Sequence, residues 1–163
     1  MRGKSLMKHA SMIGVVLLAA LSSGCGPQGT RSGFLLSGVE TPVPAEWRFT
    51  DQFKEIAIQM HTPYVIPHAV TIWCAQVDGQ LYVGASAPQT KHWPGWVDRD
   101  PDVRLRVGEQ LFTVRLVPLD DPNVIVQVRS AYVAKYELKA NAGGGMPDVR
   151  YWHVTARPSA PAA

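Results

Sequence analysis

Residues 70–96 read VTIWCAQVDGQLYVGASAPQTKHWPGW. Two runs of strand-forming residues flank Asp78-Gly79 in this stretch. A type I′ turn needs positive φ at both central residues, which Asp-Gly tolerates, so the stretch predicts a β-hairpin over residues 70–86. Val70, Ile72 and Cys74 fall on one face of its first strand. Trp73, Ala75 and Val77 fall on the other. Both faces are largely apolar, as in a barrel wall that is also covered outside by a helix or a second subunit. Beyond the second strand comes a loop with Ser86, Gln89, Thr90, Lys91 and His92. Three hydrogen-bonding side chains and a cation near a strand end suit an anionic group. Trp93 and Trp96 follow, two large flat surfaces beside that cation.

Upstream, Ile56, Ile58 and Met60 alternate with small or polar residues, which predicts a strand. A helix starting near Thr50 and running through the same residues is the competing reading. Pro63 and Pro67 end this segment. Residues 34–39 suit a short strand, and Pro42 and Pro44 make residues 41–47 extended and irregular. Downstream, residues 91–100 suit a short helix, although Pro94 and Gly95 weaken it. Residues 103–107 alternate, with Arg104 and Arg106 on a face read as solvated. After a turn at Gly108-Glu109, residues 110–119 form the partner strand. Phe112, Val114 and Leu116 face one way there, and Thr113 and Arg115 the other. Asp120 or Asp121 can cap a helix with Pro122 in its first turn. That helix is expected to reach about residue 140, with Val124, Val128, Tyr132 and Tyr136 on one face. Gly143-Gly144-Gly145 reads as linker, and residues 149–156 alternate as a last strand. The sum is a small β-barrel or α+β domain, in which closing the sheet removes exposed edges.

Residues 1–24 are read as an export signal. Arg2, Lys4 and Lys8 precede a short apolar run, then Ser22-Ser23-Gly24 and Cys25. The pattern resembles a bacterial lipoprotein signal, in which Cys25 becomes a lipidated first residue. It departs from the usual motif in having Ser22 three residues before the cysteine, with Leu21 one place further back. An ordinary secretory signal with a chance cysteine is the alternative. Residues 25–48 are a tether and extended segment, 49–157 the barrel domain and 158–163 a disordered tail. Gly26, in place of Asp, favours the periplasmic face of the outer membrane. The chain has 16 Lys and Arg against 13 Asp and Glu. The signal removes Arg2, Lys4 and Lys8 and no acid, so the mature chain is neutral. No basic patch argues for nucleic acid. With Cys25 acylated, Cys74 is the remaining thiol and no intrachain disulfide forms. Cys74 lies in an apolar strand and reads as buried and inert. The histidines lack metal-ligand spacing, so no metal is expected.

The ordered segments resemble the split β-barrel superfamily of pyridoxamine-phosphate-oxidase-like flavoproteins and deazaflavin-dependent nitroreductases. The similar part covers residues 56–117. It comprises Thr71-Ile72-Trp73, the run Asp78-Gly79-Gln80-Leu81-Tyr82-Val83, the loop 86–91, Trp96, and Asp100-Pro101-Asp102-Val103-Arg104-Leu105. The resemblance implies a mainly β (α+β) fold, a six-stranded antiparallel split β-barrel with two or three helices. It implies a homodimer with cofactor clefts at the interface, binding FMN, deazaflavin F420 or haem. Thr90 and Lys91 fall where the family binds the flavin phosphate, with Ser86, Gln89 and Trp96 nearby. Flavin-binding relatives carry an arginine at the start of the strand that here reads Val70-Thr71-Ile72, and this chain has none; His68 is the nearest basic group.

Two functions follow as expectations. One is an envelope-anchored FMN- or F420-type oxidoreductase acting on a small molecule. The other is a non-catalytic periplasmic lipoprotein that keeps the barrel and binds a protein partner or small apolar ligand. Each site residue has a plain structural reading beside the functional one. Lys91 is a solvated loop residue or a phosphate ligand, and Trp73 reads as core before cofactor wall. Trp93 and Trp96 are balanced between core and contact surface. Trp152-His153 reads as core plus surface.

Overall fold

The computed structural model describes residue 33, residues 35–138 and residues 148–158. The hairpin turn forms where the sequence places it, at Asp78-Gly79. β4 (Cys74–Val77) pairs antiparallel with β5 (Gln80–Ser86), and Val77 opposite Gln80 leaves a two-residue turn. Asp78 and Gly79 both have positive φ, 51° and 80°, as a type I′ turn requires. Gln76 Oε1 accepts from Gly79 N–H at 2.9 Å and fixes the turn.

The predicted first strand is not continuous. β2 (Ile56–Met60) pairs with β3 (His68–Ile72), so Ile72 lies opposite Ile56, whereas Cys74 lies opposite Val83 of β5. Trp73 alone separates β3 from β4. The remaining strands are β6 (Asp102–Val107), β7 (Gln110–Pro118) and β8 (Val149–Ala156), and the order is β3-β2-β6-β7-β8-β5-β4. β3 and β4 stand at opposite ends of that order yet are joined through one residue, which closes the sheet into a barrel. The six strands expected therefore become seven by division of one. β1 (Val39–Glu40) adds a short parallel pairing with β7.

Alternation still decides the faces. Ile72 and Cys74 point into a core with Ile56, Ile58, Met60, Leu105, Phe112, Leu116 and Trp152, whereas Ala75 lies in a second cluster on the outside. Burying each large side chain of the core is worth about 1.5–3 kcal/mol. α2 (Pro122–Tyr136) supplies the outer cover, setting Val128 and Tyr132 against Ala75, Tyr82 and Tyr151. Asp121 caps it by accepting from Asn123 N–H at 2.9 Å. The helix stops earlier than the sequence predicts. Glu137 takes a left-handed conformation, φ 51°, and its N–H bonds to the Val133 carbonyl.

The face of β6 carrying Arg104 and Arg106 is not freely solvated. The segment 35–40 crosses over it: Arg104 pairs with Glu40, and Arg106 donates to the Ser37 carbonyl at 3.4 Å. Leu36 buries against Ala57, Ala69 and Leu111, and its N–H donates to Gln59 Oε1 at 2.6 Å. β2 is thus buried along its whole length, and the strand reading of residues 56–60 holds. In place of the competing helix from near Thr50 stands a 3-10 turn, Arg48–Gln52. Residues 1–24, Cys25, the tether before Gly33, Gly143-Gly144-Gly145 and residues 159–163 lie outside the described residues.

Candidate functional site

β5 delivers Ser86 to one rim of the barrel. Ala87 follows in a left-handed conformation, φ 46°, and its N–H donates to the Asp148 carbonyl at 2.7 Å. That bond ties the loop to the start of β8. A 3-10 turn, Pro88–Thr90, comes next, then Lys91 in extended conformation, then α1 (Trp93–Arg99). Pro94 sits in the first turn of α1, where its missing N–H costs nothing. This explains why the helix forms despite Pro94 and Gly95.

Ser86, Gln89, Thr90 and Lys91 are all exposed. The Thr90 hydroxyl donates to the Ala87 carbonyl at 2.8 Å, closing its own turn. Lys91 Nζ donates back to the Ser86 carbonyl. Among the described residues no carboxylate pairs with Lys91. Its positive charge is met only by a carbonyl dipole, so it can receive an anion.

The two tryptophans part company. Trp93 is 6% exposed and packs on Trp152 with ring centroids 5.0 Å apart, so it is core and not a contact surface. Trp96 is half-buried between two imidazoles. His68, the first residue of β3, meets its ring edge-on at 5.2 Å, and His92 lies nearly parallel at 6.1 Å. The same rim holds a further pair, His61 Nδ1 donating to Asp100 Oδ2 at 2.9 Å. The sequence pointed to Trp96 and the loop, and to His68 only as the nearest basic group, not as a ring against Trp96. The signal was its place at a strand start, where β2 and β3 reverse at the rim.

Trp73 overturns its sequence reading. It is 44% exposed and not core. As the residue where the chain leaves β2 for β5, it is turned out of both pairings. Its ring stacks on Tyr136 at 4.2 Å, with only 9° between the planes. Around it lies a polar cluster that the sequence did not reveal. The Tyr136 hydroxyl accepts from Cys74 N–H at 2.9 Å and lies 2.7 Å from the Lys54 carbonyl. The Tyr132 hydroxyl donates to the Trp73 carbonyl at 3.0 Å. Lys135 Nζ donates to the Thr50 carbonyl at 2.9 Å and lies 3.5 Å from Cys74 Sγ. Burial pushes the Cys74 thiol up despite that ammonium, and burial also drives Tyr132 and Tyr136 well above the usual phenol value. These groups stay neutral at physiological pH. They stitch α2 to the strand break and offer no nucleophile.

His153 lies on the outer face of β8, stacked on Tyr82 at 5.0 Å and 3.0 Å from Gln80 Oε1, and partial burial lowers its pKa. Asp102 receives Arg115 at 2.7 Å and Arg157 at 2.9 Å, and those guanidiniums hold its carboxyl below the usual range. A shallow depression of about 380 Å³ on α2, lined by Val126, Arg129, Ser130, Val133 and Ala134, touches none of the loop residues. Among the described residues no three His, Cys, Asp or Glu side chains come together to hold a metal ion. No described helix is long and apolar enough to cross a membrane.

Solved structures share this arrangement of strands. HutZ, a heme storage protein from Vibrio cholerae, aligns with TM-score 0.53 at 10% identity over 68% of this chain and 87% of that one. A putative pyridoxamine 5′-phosphate oxidase from Listeria innocua aligns with TM-score 0.50 at 11% identity, over 65% and 86%. Protein Atu2129 of Agrobacterium tumefaciens, of unknown function, aligns with TM-score 0.50 at 16% identity over 62% of this chain, which spans 47% of that protein's length. At these identities the likeness establishes the fold alone, a mainly antiparallel split β-barrel with α2 packed on its outside. No curated protein matches the sequence. Residues 49–154, from the 3-10 turn to the last strand, match the model of a family described as "Uncharacterized protein conserved in bacteria (DUF2255)", and the chain belongs to that family.

Proposed function

We propose that the loop 86–96 and His68 form one half of a site for a flavin-type cofactor, FMN or a related deazaflavin. The protein is then an oxidoreductase acting on a small molecule, held in the cell envelope by lipid on Cys25. The observation that carries the reading is the rim itself. A half-buried Trp96 lies between His68 and His92, and Lys91, a cation with no carboxylate partner among the described residues, immediately precedes His92. The residues fit such a group. A phosphate needs a cation and donors, which Lys91, Ser86 and Gln89 supply, joined by Thr90 when its hydroxyl leaves the Ala87 carbonyl; a planar ring needs an aromatic wall, which Trp96 supplies. A bound flavin brings the hydride and electron chemistry, and the chain's part is to bind it, orient it and limit water. Lys91 does this by exchanging the Ser86 carbonyl for an anion. The fold's occurrence in a putative pyridoxamine 5′-phosphate oxidase and a heme storage protein supports a cofactor of this size. A second copy of the chain completes the cleft, making the working unit a homodimer. The envelope placement, on the periplasmic face of the outer membrane, rests on the signal pattern of residues 1–24 and Cys25.

A second reading has its own support. The Thr90 hydroxyl is engaged by Ala87, Lys91 is engaged by Ser86, and β3 has no arginine. On that reading the barrel is a non-catalytic lipoprotein domain that binds a protein partner or a small apolar ligand. The visible spectrum of the purified chain, followed by titration with FMN and with haem, separates the two. A flavin or haem band, or saturable binding at micromolar ligand, is the expected result. A colourless protein that binds neither removes the cofactor reading.

A further inference from the structure

Three consecutive apolar side chains stand in water at the turn between β2 and β3. Tyr64 is 75% exposed, Val65 91% and Ile66 55%, and Pro63 and Pro67 bracket them. The turn is braced. The Thr62 hydroxyl donates to the Ile66 carbonyl at 2.8 Å, and the N–H groups of Tyr64 and Val65 bond back to Thr62 at 3.2 Å. Val65 is held at φ 68°, a conformation that a β-branched residue rarely adopts. The chain thus holds an apolar tip outward, where burial in its own core would be the ordinary outcome.

The N-terminal segment meets the sheet beside this tip. The Gly33 carbonyl accepts from Ala69 N–H at 2.7 Å, and Ala69 lies three residues beyond Ile66. Leu35, two residues from Gly33, is also 70% exposed. Cys25 precedes Gly33 by eight residues, so any backbone conformation keeps Gly33 within about 29 Å of the cysteine. The chain that leads back to Cys25 therefore meets the described domain beside the apolar side chains, with the cysteine within that reach of Gly33.

We infer that the tip at residues 64–66 is a second membrane contact, seated in the headgroup and acyl boundary of the leaflet that holds the Cys25 lipid. This rests on the lipoprotein reading above. A tyrosine beside aliphatic residues suits that boundary, with an apolar body and a polar end. Two points of contact fix the barrel's orientation. The β2–β3 turn faces the bilayer, and His68, the residue after Pro67, stays near the interface.

The test uses the full chain, exported and acylated in a bacterial host, then placed in vesicles of phosphatidylethanolamine and phosphatidylglycerol. Val65→Cys and, separately, Ile66→Cys carry an environment-sensitive nitrobenzoxadiazole label, with Val126→Cys on α2 as the exposed control; Cys74 is buried. Flotation and the mass of the Cys25 peptide report the anchor independently. The expected result is a vesicle-dependent blue shift and brightening at positions 65 and 66 and none at 126. An acylated chain that floats while both labels keep their aqueous spectrum overturns the inference and leaves the anchor intact. An unacylated Cys25 defeats the anchoring reading and this one with it. A blue shift that needs no vesicles and grows with protein concentration means that a second copy covers the tip, which also overturns it.

Discussion

The flank under α2 and the rim around Trp96 are both rich in aromatic and polar groups, but they use them differently. On the flank, hydroxyls and ammonium are engaged with backbone. Tyr136 holds Cys74 and Lys54, Tyr132 holds Trp73, and Lys135 holds Thr50. Its aromatic rings stack on one another. At the rim, among the described residues, Lys91 meets only a carbonyl, Gln89 is exposed, and Trp96 touches imidazoles. Close to the rim in sequence, Tyr64, Val65 and Ile66 face water. Buried polar groups that are satisfied hold a fold together, whereas exposed ones without firm partners are free to hold something else.

Substitutions sharpen that contrast. The largest loss belongs to the core beneath both regions. Trp152→Ala removes a fully buried ring and should cost about 4 kcal/mol in urea unfolding. Next comes the flank. Tyr136→Phe leaves Cys74 N–H without its partner and should cost about 2 kcal/mol, with no effect on ligand binding. If Tyr136→Phe is as stable as wild type, the flank is not the brace described. Trp96→Ala at the rim should lose ligand affinity while changing stability less than Trp152→Ala does, because Trp96 is only half-buried. The smallest effect is a pH dependence. His153 has a folded-state pKa below its ordinary 6.5 because of burial. Its contribution to stability is therefore complete above pH 6.5 and is lost as pH falls through the folded value. His153→Gln should flatten that part of the stability curve, measured as urea midpoints from pH 8 downward.

Much of this was legible in the sequence because it is local. Asp78-Gly79 dictates its turn, alternation at Ile56, Ile58 and Met60 dictates a strand, and Asp121-Pro122 starts α2. The partition at Trp73 was not legible. Both halves of residues 70–77 are strand-like, and only the pairing of Ile72 with Ile56 and of Cys74 with Val83 shows that the chain changes neighbours there. The same holds for Arg104 and Arg106, whose face is covered by a segment some 65 residues earlier in the chain. At the rim, the sequence singled out Lys91, Thr90 and Trp96 as candidates but could not place His68 against Trp96, a contact across 28 positions. It also could not show that Thr90 and Lys91 bond within their own loop.

The central claim is that the rim, and not the flank, holds the ligand. Calorimetric titration of FMN into the wild-type chain and into Lys91→Ala tests it most directly. The account predicts saturable binding to wild type and a loss of about 1–3 kcal/mol in the variant, roughly five- to 150-fold in Kd, with unfolding midpoints unchanged. Equal affinity in both proteins, or binding by neither, would contradict it.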